Sequence, residues 1–339
     1  MIGAACKALA VIARRLRAQL LSGPPARDPV AAVQRLLAVQ GQDPRGARLA
    51  IRARSRGLTA ADVDRALTDD RALVITWLNR GTLHLVRSED YFWLHALTAP
   101  RQLTGTMRRL AQEGVSPGKA DRGVAAIKQA LAAEGPLVRD RLVEPVRAAG
   151  VRTEGQALIH LLALASIRGL IVRGPMVGKR HAFALVRDWV GEPRRFDRDA
   201  ALAELGRRYL AGHAPADERD LAYWTGLPLR DARAAFAGAG GTHFPASGRE
   251  IRATAAPKLL GSYDPVLHGW KSRAPLLGEH DGAIVRQGLF RPFALVDGRP
   301  VATWRLVGGE VVLEPFGPLA PPKLAALERE AADVKRFLG

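Results

Sequence analysis

The sequence contains a single cysteine, Cys6, among its 339 residues. An internal disulfide needs two cysteines and a multi-cysteine zinc site needs more, so both are excluded. The eight histidines form no HExxH motif and no His/Cys group at metal spacing. A glycine-rich phosphate loop of the Walker type and a Ser/His/Asp nucleophile motif are also missing from the sequence. We therefore expect neither a metal nor a cofactor.

Long uninterrupted apolar runs are scarce as well. The N-terminal stretch MIGAACKALAVIARRLRAQLL begins apolar, but arginines interrupt it within two turns and follow the apolar part instead of leading it. A signal peptide places its positive charges first, and a membrane span needs about 20 apolar residues. The stretch fits neither, and the sequence predicts a cytoplasmic protein without membrane partners.

Acidic residues are few relative to basic ones, at 33 Asp and Glu against 51 Lys and Arg, which gives a formal net charge of +18. This excess favours a polyanionic partner, nucleic acid above all, although a GC-rich genome also raises the arginine content. Residues 261–339 hold ten basic and nine acidic residues, so +17 of the charge belongs to residues 1–260. A phosphate-binding surface is therefore expected in the first three quarters of the chain.

The pattern of helix and strand signals predicts an α+β protein, made mainly of helical tandem winged-helix units with a C-terminal β-rich subdomain. At this length, two or three hydrophobic cores are expected. The predicted segments are an N-terminal helix (1–27), three winged-helix units (28–120, 121–196 and 197–257) and a β-rich subdomain with a closing helix (258–339).

Two Asp-Pro pairs predict the first helix starts. Asp28-Pro29 places an N-cap before a proline at the first helical position, and Asp43-Pro44 repeats the signal. The first of these helices carries an apolar stripe that continues at helical spacing to Gln40. Gln40, Gly41 and Gln42 then form a short hinge between the two helices. Because residues two apart in an extended segment point to the same side, both amides are expected to face one space.

The sequence after this hinge predicts helices followed by a strand, which is the order of a winged helix. Thr59 begins a capping signal for a helix through Leu67, and a further helix is predicted before Arg80-Gly81. Residues 82–86 then alternate in the manner of a strand.

The same order recurs more clearly in the second unit. Helices are predicted over residues 123–136, 137–150 and 153–168, and residues 170–185 alternate as a hairpin. The dipeptide Lys179-Arg180 lies at the glycine-bracketed tip, where a wing that contacts DNA carries its cations.

A third set of helix signals is followed by a β-rich sequence at the end of the chain. Residues 214–229 have the character of a helix-turn-helix with Gly226 in the turn, and residues 249–254 are a candidate strand. From about Lys258 the sequence predicts an antiparallel meander with glycine turns, closed by a helix from Pro321. A mostly helical domain whose arginines solvate its surface is the alternative to three repeated units.

Four stretches of the sequence carry a family resemblance: VQGQDPRGARLAIRAR, TWLNRGTLHLVRSEDYFWL, SYDPVLHGWKSR and RPFALVDGRPVATWRL. In this order they resemble the AlkZ-like family of winged-helix DNA glycosylases over essentially the whole chain. The resemblance implies tandem winged-helix units, a C-terminal β-rich portion and double-stranded DNA bearing alkylated purines as the partner. Members remove bulky N7-alkylated purines, and some unhook interstrand cross-links as self-resistance in antibiotic-producing bacteria.

The catalytic signature of that family falls on the hinge. It consists of glutamine, a small or hydrophobic residue, and then glutamine or aspartate, which here are Gln40, Gly41 and Gln42. The resemblance implies that the two amides orient the hydrolytic water of a monofunctional glycosylase. Gly41 departs from the pattern because it is smaller than the usual middle residue. Taken without the family, both glutamines have an ordinary interpretation, which is to satisfy backbone groups at a helix junction.

Further residues are candidates for contact with DNA, and each group has an ordinary structural alternative. The candidates are Arg45, Arg48, Arg52 and Arg54 after the hinge, Thr82 and His84 on the strand, Lys179 and Arg180 at the hairpin tip, and His268, Trp270, Lys271 and Arg273, with Asp264, in a turn-rich loop. The arginines contact phosphates or solvate a helix face. The strand residues contact DNA or form a half-buried cross-strand pair.

Two functions of different classes are considered, the first implied by the family resemblance and the second by the winged-helix pattern and the basic charge. The first is a monomeric DNA glycosylase, cytoplasmic and associated with the nucleoid, that acts on N7-alkylated purines and on cross-links as a form of self-resistance. The alternative is a winged-helix transcription regulator, which binds intact DNA in a salt-dependent way and releases no base.

Overall fold

The computed structural model describes residues 2–240 and 256–339, so the candidate strand at residues 249–254 lies outside the described residues. Helices and antiparallel sheets are both present, which confirms the α+β class. The chain forms two compact units, one of Met1–Val63 with Leu202–Gly339 and the other of Asp64–Ala201. The five predicted segments remain a prediction.

The N-terminal part of the first unit is helical, as the cap signals predict. Its elements are α1 (Ile2–Ala18), α2 (Pro29–Leu36), a two-residue extended segment β1 (Val39–Gln40), α3 (Pro44–Arg52) and α4 (Ala60–Thr68), which crosses into the second unit. Asp28 caps α2 by accepting a hydrogen bond from the Ala31 amide at 2.6 Å. The amide of Thr59, before α4, donates to the Asp62 carboxylate at 2.8 Å.

The second unit combines helices with an antiparallel sheet. Its helices are α5 (Tyr91–Thr98), α6 (Leu103–Gln112), α7 (Pro117–Glu134), α8 (Val143–Ala148), α9 (Ala157–Ile167) and α10 (Val186–Trp189), and its strands are β2 (Leu73–Leu78), β3 (Thr82–Arg87), β4 (Leu137–Val138), β5 (Ile171–Val177) and β6 (Arg180–Leu185). Within this unit the strand order is β3-β2-β5-β6-β4. The predicted hairpin of the second segment is confirmed as β5 and β6.

Three element predictions in this unit are wrong. The segment before Arg80-Gly81 is strand β2 instead of a helix, because its run of β-branched and aromatic residues pairs along its whole length with β3. The helix predicted over residues 137–150 begins as strand β4, and only its second half is α8. The helix predicted from Thr153 starts later, at Ala157, because the preceding residues form a turn.

The remainder of the first unit begins with three helices and ends in a β-rich segment. The helices are α11 (Arg198–His213), α12 (Glu218–Thr225), α13 (Leu229–Gly238), α14 (Ala274–Leu277), α15 (Asp281–Ile284) and α16 (Pro321–Leu338), and the strands are β7 (Lys258–Leu260), β8 (Val285–Arg286), β9 (Leu289–Phe290), β10 (Phe293–Val296), β11 (Arg299–Val307) and β12 (Glu310–Pro315). Gly226 ends α12 with a φ of 75°, which confirms the predicted helix-turn-helix.

The predicted C-terminal meander is confirmed as the sheet β12-β11-β10-β7. Asp297 and Gly298 have φ angles of 51° and 74°, the left-handed values that a tight two-residue hairpin turn requires. The indole N–H of Trp304 in β11 donates to the carbonyl of Leu260, the last residue of β7, at 2.9 Å. This bond fixes the end of β7, from which the next loop departs.

Candidate active site

The glutamine hinge is extended, and it begins earlier than the apolar stripe suggests. Helix α2 ends at Leu36, because Leu37 adopts a positive φ of 65° that a helix cannot continue. The prediction that Gln40 lies on a helical stripe is therefore wrong, and Gln40 belongs to the extended segment β1. Asp43 then caps α3 by accepting from the Arg45 amide at 3.0 Å, as predicted.

The two amides of the hinge contact each other directly. The Nε2 group of Gln40 donates a hydrogen bond to Oε1 of Gln42 at 2.7 Å. Gln40 is buried, with 8% of its surface exposed, whereas Gln42 is exposed. The expectation that both amides face one space is met. Neither amide is a base, so the pair offers hydrogen bonds and dipoles and no proton transfer.

A buried ion pair fixes the far end of α3 to the turn-rich loop. The Arg54 guanidinium binds both carboxylate oxygens of Asp264, at 2.9 and 2.7 Å, and both side chains are fully buried. Arg54 also donates to the Gln19 side chain and to the Ala50 carbonyl. Asp264 in turn accepts from the Val266 amide at 3.0 Å. This is a bidentate pair with further hydrogen bonds on both sides, the geometry in which a buried salt bridge is retained, although the buried Nε of Arg54 has no hydrogen-bond partner among the described residues.

The same loop approaches the first turn of α3 closely. A Cβ at Gly46 would overlap the carbonyl oxygen of Ser262, and a Cβ at Gly261 would lie 2.9 Å from the Leu49 Cβ. Glycine at both positions allows the two backbones to meet. The loop that starts at Gly261 therefore lies against α3 only a few residues after the glutamine pair.

Arg52 is an internal residue, and the prediction that it contacts DNA is contradicted by its position. Its side chain is 2% exposed and forms ion pairs with Glu330 at 2.7 Å and Asp333 at 2.8 Å on α16. It also donates to the Leu259 carbonyl of β7 at 2.9 Å. Arg52 therefore joins α3 to the C-terminal helix and sheet. The alternative, a solvated helix face, is wrong for Arg52 and for Arg54.

The first half of α3 retains the basic surface that the sequence predicts. Arg45 is exposed, and Arg48 is half-buried with its Nη1 donating to the Pro44 carbonyl at 2.9 Å. These two arginines follow the glutamine pair by three and six residues. Their contact with a phosphate backbone stays a prediction.

The four candidates in the loop after Asp264 have different environments. Trp270 is buried and donates through its indole to the His213 carbonyl at 2.9 Å, so its assignment as a DNA contact is corrected to a core residue. His268 is also buried, and its ring lies 4.3 Å from the Phe290 ring. Lys271 is exposed. Arg273 is a quarter exposed and pairs with Asp281 at 3.3 Å.

The candidates in the second unit also include both buried and exposed side chains. His84 is buried, and burial lowers its pKa to about 4, so that its imidazole is neutral at physiological pH. Its Nδ1 lies 2.9 Å from the Thr82 carbonyl, which fits the alternative of a half-buried strand. Lys179 and Arg180 are exposed at the predicted hairpin tip, and Arg180 forms an ion pair with Asp140.

The sequence patterns missed two residues beside the glutamine pair. Tyr263 lies in the loop that contacts α3, and its φ of 57° is rare for a residue other than glycine. The carboxylate of Asp43, predicted only as a cap, is close enough to Tyr263 to raise the pKa of the phenol further, after the larger effect of burial. No local spacing signals this proximity, because Tyr263 follows Asp43 by more than two hundred residues.

The described residues hold no group of three or more His, Cys, Asp or Glu side chains in an arrangement that could bind a metal ion. Among these same residues, every helix is too short or too polar to cross a membrane.

Comparison with known proteins identifies the class of enzyme. The chain matches the family model "DNA glycosylase AlkZ-like" over residues 33–337 and belongs to that family. The DNA glycosylase class expected from the sequence is thereby confirmed, in preference to a regulator without chemistry.

A sequence comparison and a structure comparison, both with proteins of Streptomyces sahachiroi, show how much of the chain is similar. The chain is 30% identical to an interstrand DNA cross-link repair glycosylase of Streptomyces sahachiroi, an alignment that covers 97% of this chain and 96% of that protein. It also superposes on the structure of the DNA glycosylase AlkZ of Streptomyces sahachiroi with a TM-score of 0.77 and 26% identity, over 97% of this chain and 96% of the other. The likeness is therefore to a whole protein and not to one shared domain.

Proposed function

We propose that this glycosylase hydrolyses the N-glycosidic bond of N7-alkylated purines in duplex DNA, with Gln40 and Gln42 holding the hydrolytic water. The observation that carries the proposal is the direct hydrogen bond between the two amides at 2.7 Å, formed in an extended hinge with one amide buried and the other exposed. With Gln40 Nε2 and Gln42 Oε1 engaged in this bond, the Gln40 Oε1 acceptor and the Gln42 Nε2 donor are the amide groups left to meet a water and the sugar.

The chemistry explains why amides suffice where carboxylates are common. A purine alkylated at N7 carries a positive charge, so the C1′–N9 bond breaks with its electron pair moving to N9, and the departing base becomes neutral without an acid. The water oxygen bonds to C1′ and its proton passes to solvent. Orienting that water and directing amide dipoles toward the cationic sugar are tasks of positioning and electrostatics. Unactivated nucleotides would need a stronger catalyst.

Base release from a duplex that contains one N7-methylguanine tests this proposal. The wild type is expected to release free base and leave an abasic site, and the Gln40→Ala plus Gln42→Ala variant is expected to lose about 100- to 1,000-fold in single-turnover rate. Gln112→Ala, which removes an exposed glutamine from α6, is the matched control and should react like the wild type. An inactive wild type, or an undiminished double variant, contradicts the proposal.

We extend the proposed substrate to bulky adducts and interstrand cross-links because of the relative from Streptomyces sahachiroi, which is a cross-link repair glycosylase. Self-resistance to a DNA-alkylating natural product is the corresponding biological role. Incubation with a duplex cross-linked through two N7 positions, followed by strand separation, tests this extension. Unhooked single strands support it, whereas release of N7-methylguanine with intact cross-links restricts the enzyme to simple lesions.

We also propose that exposed cations, Arg45 and Lys271 in one unit and Lys179 and Arg180 in the other, contact the phosphate backbone. Phosphate contacts strengthen binding to any duplex and make it weaken with salt. We propose in addition that the enzyme acts as a monomer in the cytoplasm, on the nucleoid. Sedimentation with and without duplex tests the monomeric state, and localisation of a labelled chain tests the position on the nucleoid.

A further inference from the structure

Three aromatic rings pack together, two from the loop that meets α3 and one from strand β9. The rings of Tyr263 and His268 are parallel within 10°, with centroids 6.1 Å apart. Phe290 of β9 lies 5.3 Å from Tyr263 and 4.3 Å from His268, so the three rings pack on each other. The guanidinium of Arg273 lies over the Phe290 ring at 5.5 Å. We call Tyr263, His268 and Phe290 the aromatic cluster.

Tyr263 directly follows the residue at which the loop meets α3. Its neighbour Ser262 meets the backbone of Gly46 in α3, and the charge of Asp43, one residue after Gln42, adds to the effect of burial in raising the pKa of the Tyr263 phenol. The next residue, Asp264, is locked in place by the buried pair with Arg54. This lock explains how a tyrosine is held at a φ of 57°, since such a conformation persists only when its surroundings determine it.

The Tyr263 side chain remains partly accessible after the loop has packed. It is partly exposed, unlike the buried His268. Among residues 2–240 and 256–339, its hydroxyl has no hydrogen-bond partner, and its contacts are with the rings of the cluster. Burial and then the Asp43 carboxylate raise the pKa of this phenol, so it stays neutral at physiological pH. What Tyr263 offers to a ligand is therefore a neutral ring with a carboxylate beside it.

We propose that the ring of Tyr263 is the surface on which the cationic alkylated base rests during its excision at the Gln40–Gln42 pair. This inference rests on the proposed function and assigns a residue that selects its substrate. The face of an aromatic ring carries partial negative charge and attracts cations, and every purine also presents a flat surface that stacks on a ring. The Asp43 carboxylate reinforces this preference for positive charge.

The placement gives each residue of the site a separate task. The amides act below the sugar, where the water bonds to C1′, whereas Tyr263 contacts the base that leaves. A ring selects by charge, because a neutral purine stacks but gains no cation–π attraction. The exposed Arg45 of α3 would repel a cationic base, and an aromatic ring together with the Asp43 carboxylate offsets its effect.

Binding to a matched pair of duplexes tests the inference. One duplex carries a 2′-fluoro N7-methylguanosine, which is cationic but resists hydrolysis, and the other carries the neutral 7-methyl-7-deazaguanine of nearly the same shape. The wild type is expected to bind the cationic duplex about 3- to 30-fold more tightly than the neutral one. Tyr263→Phe should keep this ratio, whereas Tyr263→Leu, which keeps apolar bulk without a ring, should lower it toward the smaller preference that the Asp43 carboxylate alone provides.

Two further variants separate recognition from folding. Phe316→Ala removes another partly exposed aromatic residue of the same unit, one that stacks on His280 at 4.3 Å, and should leave the ratio unchanged. Tyr263→Ala, compared by thermal unfolding with Tyr263→Leu, provides a second ring-free variant if one of them folds poorly. A selectivity ratio that survives in the folded ring-free variant, or that falls equally in Phe316→Ala, overturns the inference.

The same preparations distinguish failure of the inference from failure of the proposed function. If the wild type releases N7-methylguanine but the Tyr263 variants retain their selectivity, the result supports the proposed function and contradicts the role of Tyr263. If the wild type releases no base, the proposed function falls first, and the inference falls with it.

Discussion

The two ends of helix α3 carry the same kind of residue in opposite environments. At the first end, Arg45 is exposed and follows a pair of amides that contact each other. At the other end, Arg52 is almost fully buried between acidic residues, and Arg54, just past the helix, is entirely buried against Asp264. Arginines that look alike in the sequence thus have two different environments. Arg45 at one end of the helix is open to solvent, and the arginines at the other end fix the helix in the fold.

The comparison predicts its largest effect at the buried end. Arg54→Ala leaves the Asp264 carboxylate buried without its cation, and we expect the free energy of unfolding to fall by about 3–5 kcal/mol. Denaturant titration measures this loss. Arg27→Ala, at a mostly exposed pair with Asp28, is the control and should change stability by at most about 1 kcal/mol. Near-equal values for the two variants would mean that burial of the pair contributes nothing.

A methyl group at the loop contact should have the next largest effect. In Gly46→Ala the new Cβ overlaps the Ser262 carbonyl, so the loop must move away from α3, at a cost of about 1–3 kcal/mol in stability. We expect the excision rate to fall as well, because the same loop carries Tyr263. Gly105→Ala is the control, since a Cβ there meets open space. An unchanged melting temperature in Gly46→Ala would show that the loop is not pressed against the helix.

Acidification probes the buried end through His213, whose pKa is lowered in part by the charge of Arg54. Burial lowers the pKa of His213 to about 3, with smaller contributions from Arg54 and other arginines, so the folded chain holds this imidazole neutral. Its contribution to stability is complete above pH 6.5, the pKa of an unfolded histidine, and declines as the pH falls from 6.5 toward 3.

We therefore expect this one group to lower the free energy of unfolding by about 2 kcal/mol between pH 7 and pH 5. The His213→Gln variant should show a flatter dependence over this range in denaturant titrations. A variant whose slope equals that of the wild type would contradict a neutral buried imidazole.

The smallest effect on stability is expected at the exposed end. Arg45→Ala should change the free energy of unfolding by less than about 0.5 kcal/mol. It should weaken binding to any duplex and reduce the slope of log K against log salt by about one, as the loss of one phosphate contact does. Arg52→Ala is the matched comparison and should do the opposite, with a clear loss of stability and an unchanged salt slope per folded molecule. Equal salt slopes for wild type and Arg45→Ala would remove Arg45 from the interface.

Sequence patterns predicted the parts of this fold that depend on neighbouring residues. The caps at Asp28 and Asp43, the hinge between their helices and the turn at Asp297-Gly298 follow from short-range chemistry, and all are present. The contact between Gln40 and Gln42 was predictable for the same reason. Strand β2 was mistaken for a helix because a short apolar run does not distinguish the two by its periodicity.

The misassigned arginines required partners that are distant in the chain. Arg54 meets Asp264 across 210 positions, and Arg52 meets Glu330 across 278. Helical spacing places Arg52 on a defined face of α3, and Arg54 follows just past the helix, but neither position tells which carboxylate the side chain meets. Tyr263 was missed for the same reason, since its proximity to Asp43 is created by the folded loop. Sequence motifs were sufficient to recognise the family, whereas the buried and exposed positions of the arginines could be assigned only from the folded structure.

The central claim is that two amides without a carboxylate catalyse the hydrolysis of a cationic nucleotide. The most direct measurement is the single-turnover rate of N7-methylguanine release by the wild type and by Gln40→Ala plus Gln42→Ala, each checked for an unchanged melting temperature. We predict abasic product from the wild type and a loss of about 100- to 1,000-fold in the folded double variant. A double variant that folds normally and releases base at the rate of the wild type would contradict the claim.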